Sequence, residues 1–137
     1  MADNSKVLRL QVISPTRVFF DEDVNMVEMT TTEGEMGVLP EHIPLTAVLE
    51  PGELRIIQGE KVRKAALLDG FVEVRKDKIT ILAEACEWPE EIDIARANEA
   101  KIRAERRLKS GEGVDLIRAQ LALNKALTRI RMTENRK

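Results

Sequence analysis

Apolar and polar positions alternate in short runs through the first part of the chain. Leu8, Leu10 and Val12 alternate with Arg9 and Gln11 until Ser14-Pro15-Thr16 interrupts them, which predicts a strand from Lys6 to Ile13 and then a turn. Arg17 to Phe20 reads as a second strand ended by the acidic Asp21-Glu22-Asp23, and Val24 to Thr32, rich in Val, Met and Thr, as a third. Thr46 to Leu49 and Leu54 to Gln58 flank Pro51-Gly52, a pair suited to a tight turn, so a hairpin is predicted there. Lys61 to Leu68, Phe71 to Arg75 and Lys78 to Ala83 follow, separated by Asp69-Gly70 and Lys76-Asp77. About ten short strands at this spacing, with no helical period among them, predict an antiparallel β-sandwich with an aliphatic core.

At Trp88-Pro89 the pattern changes: proline stops, and Ala, Glu, Arg, Lys and Leu recur at helical spacing. Pro89 and the acidic Glu90, Glu91 and Asp93 suit a helix start, predicting a first helix from about Ile92 to Lys109. Ser110-Gly111-Glu112-Gly113 breaks it, and Asp115 is the N-cap candidate for a second helix ending near Met132. Leu116, Ala119, Leu123, Ala126 and Ile130 form one apolar stripe, and Ile94, Ala97, Ala104 and Leu108 its partner. Two domains are therefore expected, a β-sandwich over residues 1–88 and an α-helical hairpin over 89–137. Alanine contributes little burial, so the hairpin is held by modest apolar area; it either exchanges folded and extended states or stays docked.

Within the strand-rich part lies Gly34-Glu-Met-Gly-Val-Leu-Pro-Glu-His-Ile-Pro-Leu45. Its two glycines permit turns or close backbone approach, its two prolines remove ladder donors, and Met36, Val38, Leu39 and Ile43 supply apolar anchors. Two readings fit: an ordered contact edge, or a bulge or corner that serves only the fold.

Composition narrows the function classes. No apolar run approaches the roughly 18 residues of a membrane span, and the polar start, Met1 to Lys6, has no signal-peptide core, so a cytosolic protein is expected. With one cysteine, Cys86, and one histidine, His42, neither an internal disulfide nor a Cys/His zinc site is expected. Residues 1–88 carry 10 basic and 16 acidic side chains, whereas residues 89–137 carry 12 and 8. The basic C-terminal part suits an anionic nucleotide or an acidic protein surface, or is simply a solvated face. Nucleic acid is disfavoured, because Phe19, Phe20, Phe71 and Trp88 are the only aromatics and none interleaves with the basic run. No nucleophile with a base, no metal spacing and no Walker-type phosphate loop is visible, so an enzyme is not expected.

The segment Glu33-Gly-Glu-Met-Gly-Val-Leu-Pro-x-His-x-Pro-Leu45, together with Pro51-Gly52, Asp69-Gly-Phe-Val-Glu-Val74 and the alanine-rich helical pair, resembles the epsilon subunit of bacterial F-type ATP synthases. The resemblance covers almost the whole chain. It implies a non-catalytic subunit of the central rotor stalk, bound to the gamma subunit and resting on the c-ring, at the cytoplasmic face of the bacterial membrane without inserting into it. It also implies helices that restrain ATP hydrolysis when they extend toward the beta and alpha subunits. Glu35 would then lie near the c-ring loops and His42 near gamma, although Glu41 stands where the family often has glycine.

Ile92-Asp-Ile-Ala-Arg-Ala97 resembles the Ile/Leu-Asp-x-x-Arg-Ala motif with which some of these subunits bind ATP. By that resemblance Glu87 and Asp93 would hydrogen-bond the adenine or fix the pocket, Ile92 and Ala97 would line it, and Arg96, Arg103, Lys125 and Arg129 would face the nucleotide. No cofactor is obligatory; ATP would be a regulatory ligand. In the extended state Arg118, Lys125, Arg129 and Arg131, with Arg136 and Lys137, would form a basic surface toward the beta subunits. From a different class, a free-standing cytosolic ATP-sensing module remains the competing reading.

Overall fold

The computed structural model describes residues 6–111 and 115–134. Eight strands come first: β1 (Leu8–Ser14), β2 (Arg17–Val24), β3 (Met26–Thr31), β4 (Gly34–Val38), β5 (Leu45–Leu49), β6 (Gly52–Gln58), β7 (Lys61–Val74) and β8 (Lys78–Glu87). A single 3-10 turn (Pro89–Glu91) leads to α1 (Ile94–Ser110) and α2 (Leu116–Glu134). The strands run β2-β1-β8-β7-β5-β3-β4, with β6 pairing both β3 and β7. Two supposed interruptions lie inside strands; the first lengthens a strand, and the second joins two expected strands into one, which brings the number below the ten or so expected.

The first is Asp21-Glu22-Asp23, which continues β2 rather than ending it. Arg9 on the neighbouring strand compensates the charge, its Nε donating to Asp21 Oδ1 at 2.8 Å with Asp23 3.6 Å from Nη1. The second is Asp69-Gly70. Asp69 (φ 72°) and Gly70 (φ 145°) take up a sharp twist without breaking the ladder, and β7 continues for 14 residues. A Cβ on Gly70 would lie 2.2 Å from the Leu82 carbonyl oxygen, so only glycine lets β7 pass β8 this closely.

The length of β7 explains why the expected Pro51-Gly52 hairpin does not form. β5 pairs with the second half of β7 (Leu45↔Val74 to Leu49↔Gly70) and β6 with its first half (Gly52↔Leu67 to Gln58↔Lys61). Pro51-Gly52 is thus a bend in a chain that keeps running antiparallel to β7. One pairing, β1 with β8, is parallel, a departure from the antiparallel expectation.

Inside the sandwich Leu10, Val12, Val27, Leu54, Ile56, Val72, Ile79 and Ile81 are fully buried in one cluster. Each such side chain contributes about 1.5–3 kcal/mol. In β7 the run Ala65-Ala66-Leu67-Leu68 is buried on both faces. Ala65 and Leu67 join the main core, while Ala66 and Leu68 meet Ile92 and Met132 in a second, small cluster. That second cluster is where α2 seats on the outside of the sheet.

The hairpin begins later than expected because the 3-10 turn intervenes. Asp93 caps α1, its Oδ1 accepting from the Arg96 amide at 3.0 Å, and Asp115 Oδ1 accepts from the amides of Ile117 and Arg118 at 3.1 and 3.2 Å. Gly111 closes α1 with φ 62°. Ala97, Ala104, Ala119 and Ala126 are buried, but Ile94 and Leu116, at the ends of the expected stripes, are exposed.

Candidate functional site

An open cleft of about 360 Å³ lies where the end of β8, the 3-10 turn and both helices meet. That volume falls at the lower end of the range of about 300–1,000 Å³ that suits small-molecule ligands. Glu87 enters from β8 and Asp93 from the cap of α1; α1 presents Arg96, Ala97 and Arg103, and α2 presents Arg129. Positions 96, 100 and 103 fall on one helical face, and the small side chains of Ala97 and Ala100 keep the cleft open between the arginines.

The charges are unevenly engaged. Arg129 is held bidentately by Glu87, Nε to Oε1 at 2.8 Å and Nη2 to Oε2 at 3.2 Å. Among the described residues no ion pair engages Arg96 or Arg103, so two guanidinium groups are left for an anion. Glu91 also lines the cleft. Arg17 of β2 grips it bidentately at 2.8 and 2.7 Å, and its Oε1 accepts from the Trp88 amide at 2.9 Å. The Arg17 hydrogen bonds, with help from that amide, hold the Glu91 carboxyl below its usual range against an opposing effect of burial, and Glu91 in turn raises Arg17.

Six residues singled out in the sequence therefore converge on one cleft. Two do not reach its wall. Ile92 is buried beneath the hairpin against Ala66, Leu68 and Met132, and Lys125 points to the sheet, where its Nζ donates to Glu84 Oε1 at 2.8 Å. Glu91 and Ala100 were missed. The helical step from Arg96 pointed to Ala100, whereas Glu91 is placed by Arg17, 74 residues away, for which local sequence holds no signal.

Glu35 is exposed on β4, the end strand of the sheet, opposite Thr30. It lines a second cavity of about 300 Å³ with Glu28, Glu53 and Arg55. His42 follows β4 and is partly buried. Its Nδ1 lies 2.7 Å from the Ile43 carbonyl oxygen, an acceptor, so Nδ1 is the donor. Glu41 has φ 67°, the left-handed region where glycine is favoured, and its amide donates to the Lys76 carbonyl at 3.1 Å. Of the basic series, Arg118 and Arg131 are exposed, Lys125 and Arg129 are paired to the sandwich, and Arg136 and Lys137 lie outside the described residues. Cys86 is buried, and burial pushes its thiol up to about 12, which makes it unreactive. Among the described residues no helix is long and apolar enough to cross a membrane, and no cluster of metal-binding side chains is present.

Residues 7–89 match the family described as ATP synthase, Delta/Epsilon chain, beta-sandwich domain, and residues 90–134 the corresponding long alpha-helix domain. The ATP synthase epsilon chain of Desulforamulus reducens is 44% identical over 131 residues, covering 95% of this chain and 99% of the relative. That of Halalkalibacterium halodurans is 47% identical over 125 residues, covering 90% and 94%. A chain of the Euglena gracilis mitochondrial ATP synthase, solved as OSCP/F1/c-ring in rotational state 1, superposes with a TM-score of 0.78 at 26% identity, covering 89% of this chain and 78% of that one.

Proposed function

The chain belongs to the ATP synthase delta/epsilon family, as an epsilon chain of the F-type enzyme, and from that premise we propose that it is a non-catalytic central-stalk subunit whose folded hairpin binds ATP. The observation that carries the nucleotide reading is the cleft itself. It draws cations from both helices, so a polyphosphate bound there would tie α1 to α2. Arg96 and Arg103 would meet the phosphates, Arg129 would join them on leaving Glu87, and Asp93 and Glu87 would offer acceptors to an exocyclic amine. Ala97 lines the cleft beside the ligand. Ile92 supports it from beneath, and Lys125 would contribute only after releasing Glu84.

Regulation follows from competition for the same side chains. Lys125 and Arg129 are engaged by sandwich carboxylates in the folded state, and on extension they would join Arg118 and Arg131 as a basic surface toward the beta and alpha subunits, restraining hydrolysis. The sandwich couples the gamma subunit, near His42, to the c-ring, near Glu35, at the cytoplasmic face of the membrane. Two points support these contacts: β4 ends the sheet and is open on one side, and the similar Euglena chain comes from an assembly that includes a c-ring.

The test is thermal unfolding of the full chain titrated with ATP, with and without magnesium. Binding at 100 times Kd adds about 2.7 kcal/mol and raises Tm. Asp93→Ala lowers the starting Tm by losing a cap, so the quantity to compare is the increment that ATP adds; it should vanish in Asp93→Ala and in Arg96→Ala. An absence of any increment at millimolar ATP overturns the nucleotide reading.

A further inference from the structure

The joint between sandwich and hairpin has its aromatic and charged fastenings on the sandwich side. Trp88 stacks on Phe19 with ring centroids 4.3 Å apart and meets Phe20 edge-on at 6.4 Å. The Arg63 guanidinium covers its ring at 4.0 Å from the centroid. Phe19, Phe20 and Arg63 all belong to the sandwich. Three residues on, Glu91 is gripped by Arg17 of β2 and bonds back to the Trp88 amide, while the amides of Glu91 and Ile92 donate to the carbonyls of Trp88 and Pro89 at 2.9 and 3.3 Å. The side chain of Ile92 sits on Ala66 and Leu68 of β7, and Met132 is what α2 adds to the same cluster. After Ile92 the hydrogen bonds change owner: Asp93 accepts from the Arg96 and Ala97 amides of α1, at 3.0 Å each.

We propose that the turn Trp88–Ile92 is part of the sandwich in mechanical terms, that Arg17 and Arg63 are the positioning residues that fix it there, and that the hairpin swings about the Ile92–Asp93 link. This rests on the mobile hairpin of the proposed function and specifies where its pivot lies. Glu87 and Glu91 then form a fixed wall of the cleft, while Asp93, Arg96, Arg103 and Arg129 leave together when the hairpin departs. Opening would thus part Glu87 and Glu91 from the arginines, so that a ligand touching both sides would hold the cleft shut. The boundary is physical: upstream of it the side chains of Trp88 and Glu91 make cation–π, aromatic and charge-assisted contacts directed to strands, whereas at Asp93 the local contacts are a helix cap and the first helical bond.

Native-state hydrogen exchange on the full chain without nucleotide tests this, because amides that open together share an opening free energy. The amides of Glu91 and Ile92 should match the protection of the sandwich strands, and that of Ala97 should match the rest of α1 at lower protection. Arg17→Ala should lower the protection of the Glu91 and Ile92 amides by about fivefold, the worth of an exposed bidentate pair, and lower that of the β7 and β8 amides by no more than this. If Glu91 and Ile92 exchange with α1 in the unsubstituted chain, the pivot lies earlier and the proposal falls while the mobile hairpin stands. If helices and strands share one protection, the mobile hairpin falls and the pivot with it. Unchanged Glu91 and Ile92 protection in Arg17→Ala overturns the role of Arg17.

Discussion

Glu41 and Glu91 are both glutamates in tight turns, and the backbone and charge around each set opposite expectations. At Glu41 the left-handed φ of 67° crowds a Cβ against the following carbonyl, a cost of about 1–2 kcal/mol that glycine avoids at about 0.5–1 kcal/mol of added chain entropy. Glu41→Gly should therefore raise stability by about 0.5–1 kcal/mol, read as a Tm increase of about 2–5 °C. An unchanged or lower Tm would mean that the Glu41 side chain makes a compensating contact. The glycine common at this position in the resemblance thus has a backbone reason that the sequence had only hinted at.

For Glu91 the folded pKa is depressed by Arg17, so the folded state binds its proton less readily than the unfolded chain. Its contribution is present above the unfolded value of about 4.5 and is lost as pH falls through the lower folded value. Stability of the full chain should decline on acidification below about pH 4.5, and Glu91→Gln should be less stable at neutral pH but show a shallower acid decline. Denaturant midpoints from pH 7 to pH 3 check both, and parallel curves for the two proteins would assign the acid sensitivity to other carboxylates.

At the scale of elements, alternation and helical spacing were legible in the sequence, and pairing was not. β1 and the helices follow directly from Leu8, Leu10 and Val12 and from the cap residues Asp93 and Asp115. The partners of β5 and β6 depend on β7 being long enough to carry both, and that depends on Gly70, which in isolation reads as a strand breaker. Gly70→Ala should cost about 3 kcal/mol, from a positive φ combined with a Cβ 2.2 Å from backbone oxygen. Neither neighbour is a flexible side-chain tip that can move aside, so the loss should appear as a lower urea midpoint for the whole sandwich; a loss under 1 kcal/mol would show that the β7–β8 crossing relaxes. The acidic triplet was misread for a related reason: Arg9 neutralises it from another strand, and cross-strand charge pairing leaves no trace in the local pattern.

In the whole molecule the two clusters of buried side chains differ in size, and that difference bears on function. The main core spans all eight strands' inner faces, whereas the hairpin seats on Ala66, Leu68, Ile92 and Met132. The ion pairs Glu84–Lys125 and Glu87–Arg129 supplement it, but they are partly exposed and each is worth at most about 1 kcal/mol. Six of the cleft's eight lining residues were reached through the family resemblance around the Ile92–Ala97 motif, and Glu91 and Ala100 were not; the seat beneath it was signalled only by Ala65-Ala66-Leu67-Leu68, a run too apolar for a strand with one wet face. Met132, 2% exposed, is the largest group that α2 contributes to that seat. Met132→Ala should remove about 2–3 kcal/mol of docking free energy without touching the sandwich core. Thermal unfolding followed by helical circular dichroism should then separate into an early loss of the hairpin and a later transition near the original Tm. A single transition at lower temperature would show instead that hairpin and sandwich unfold as one unit, and that the subunit lacks the weak seam that an exchanging hairpin requires.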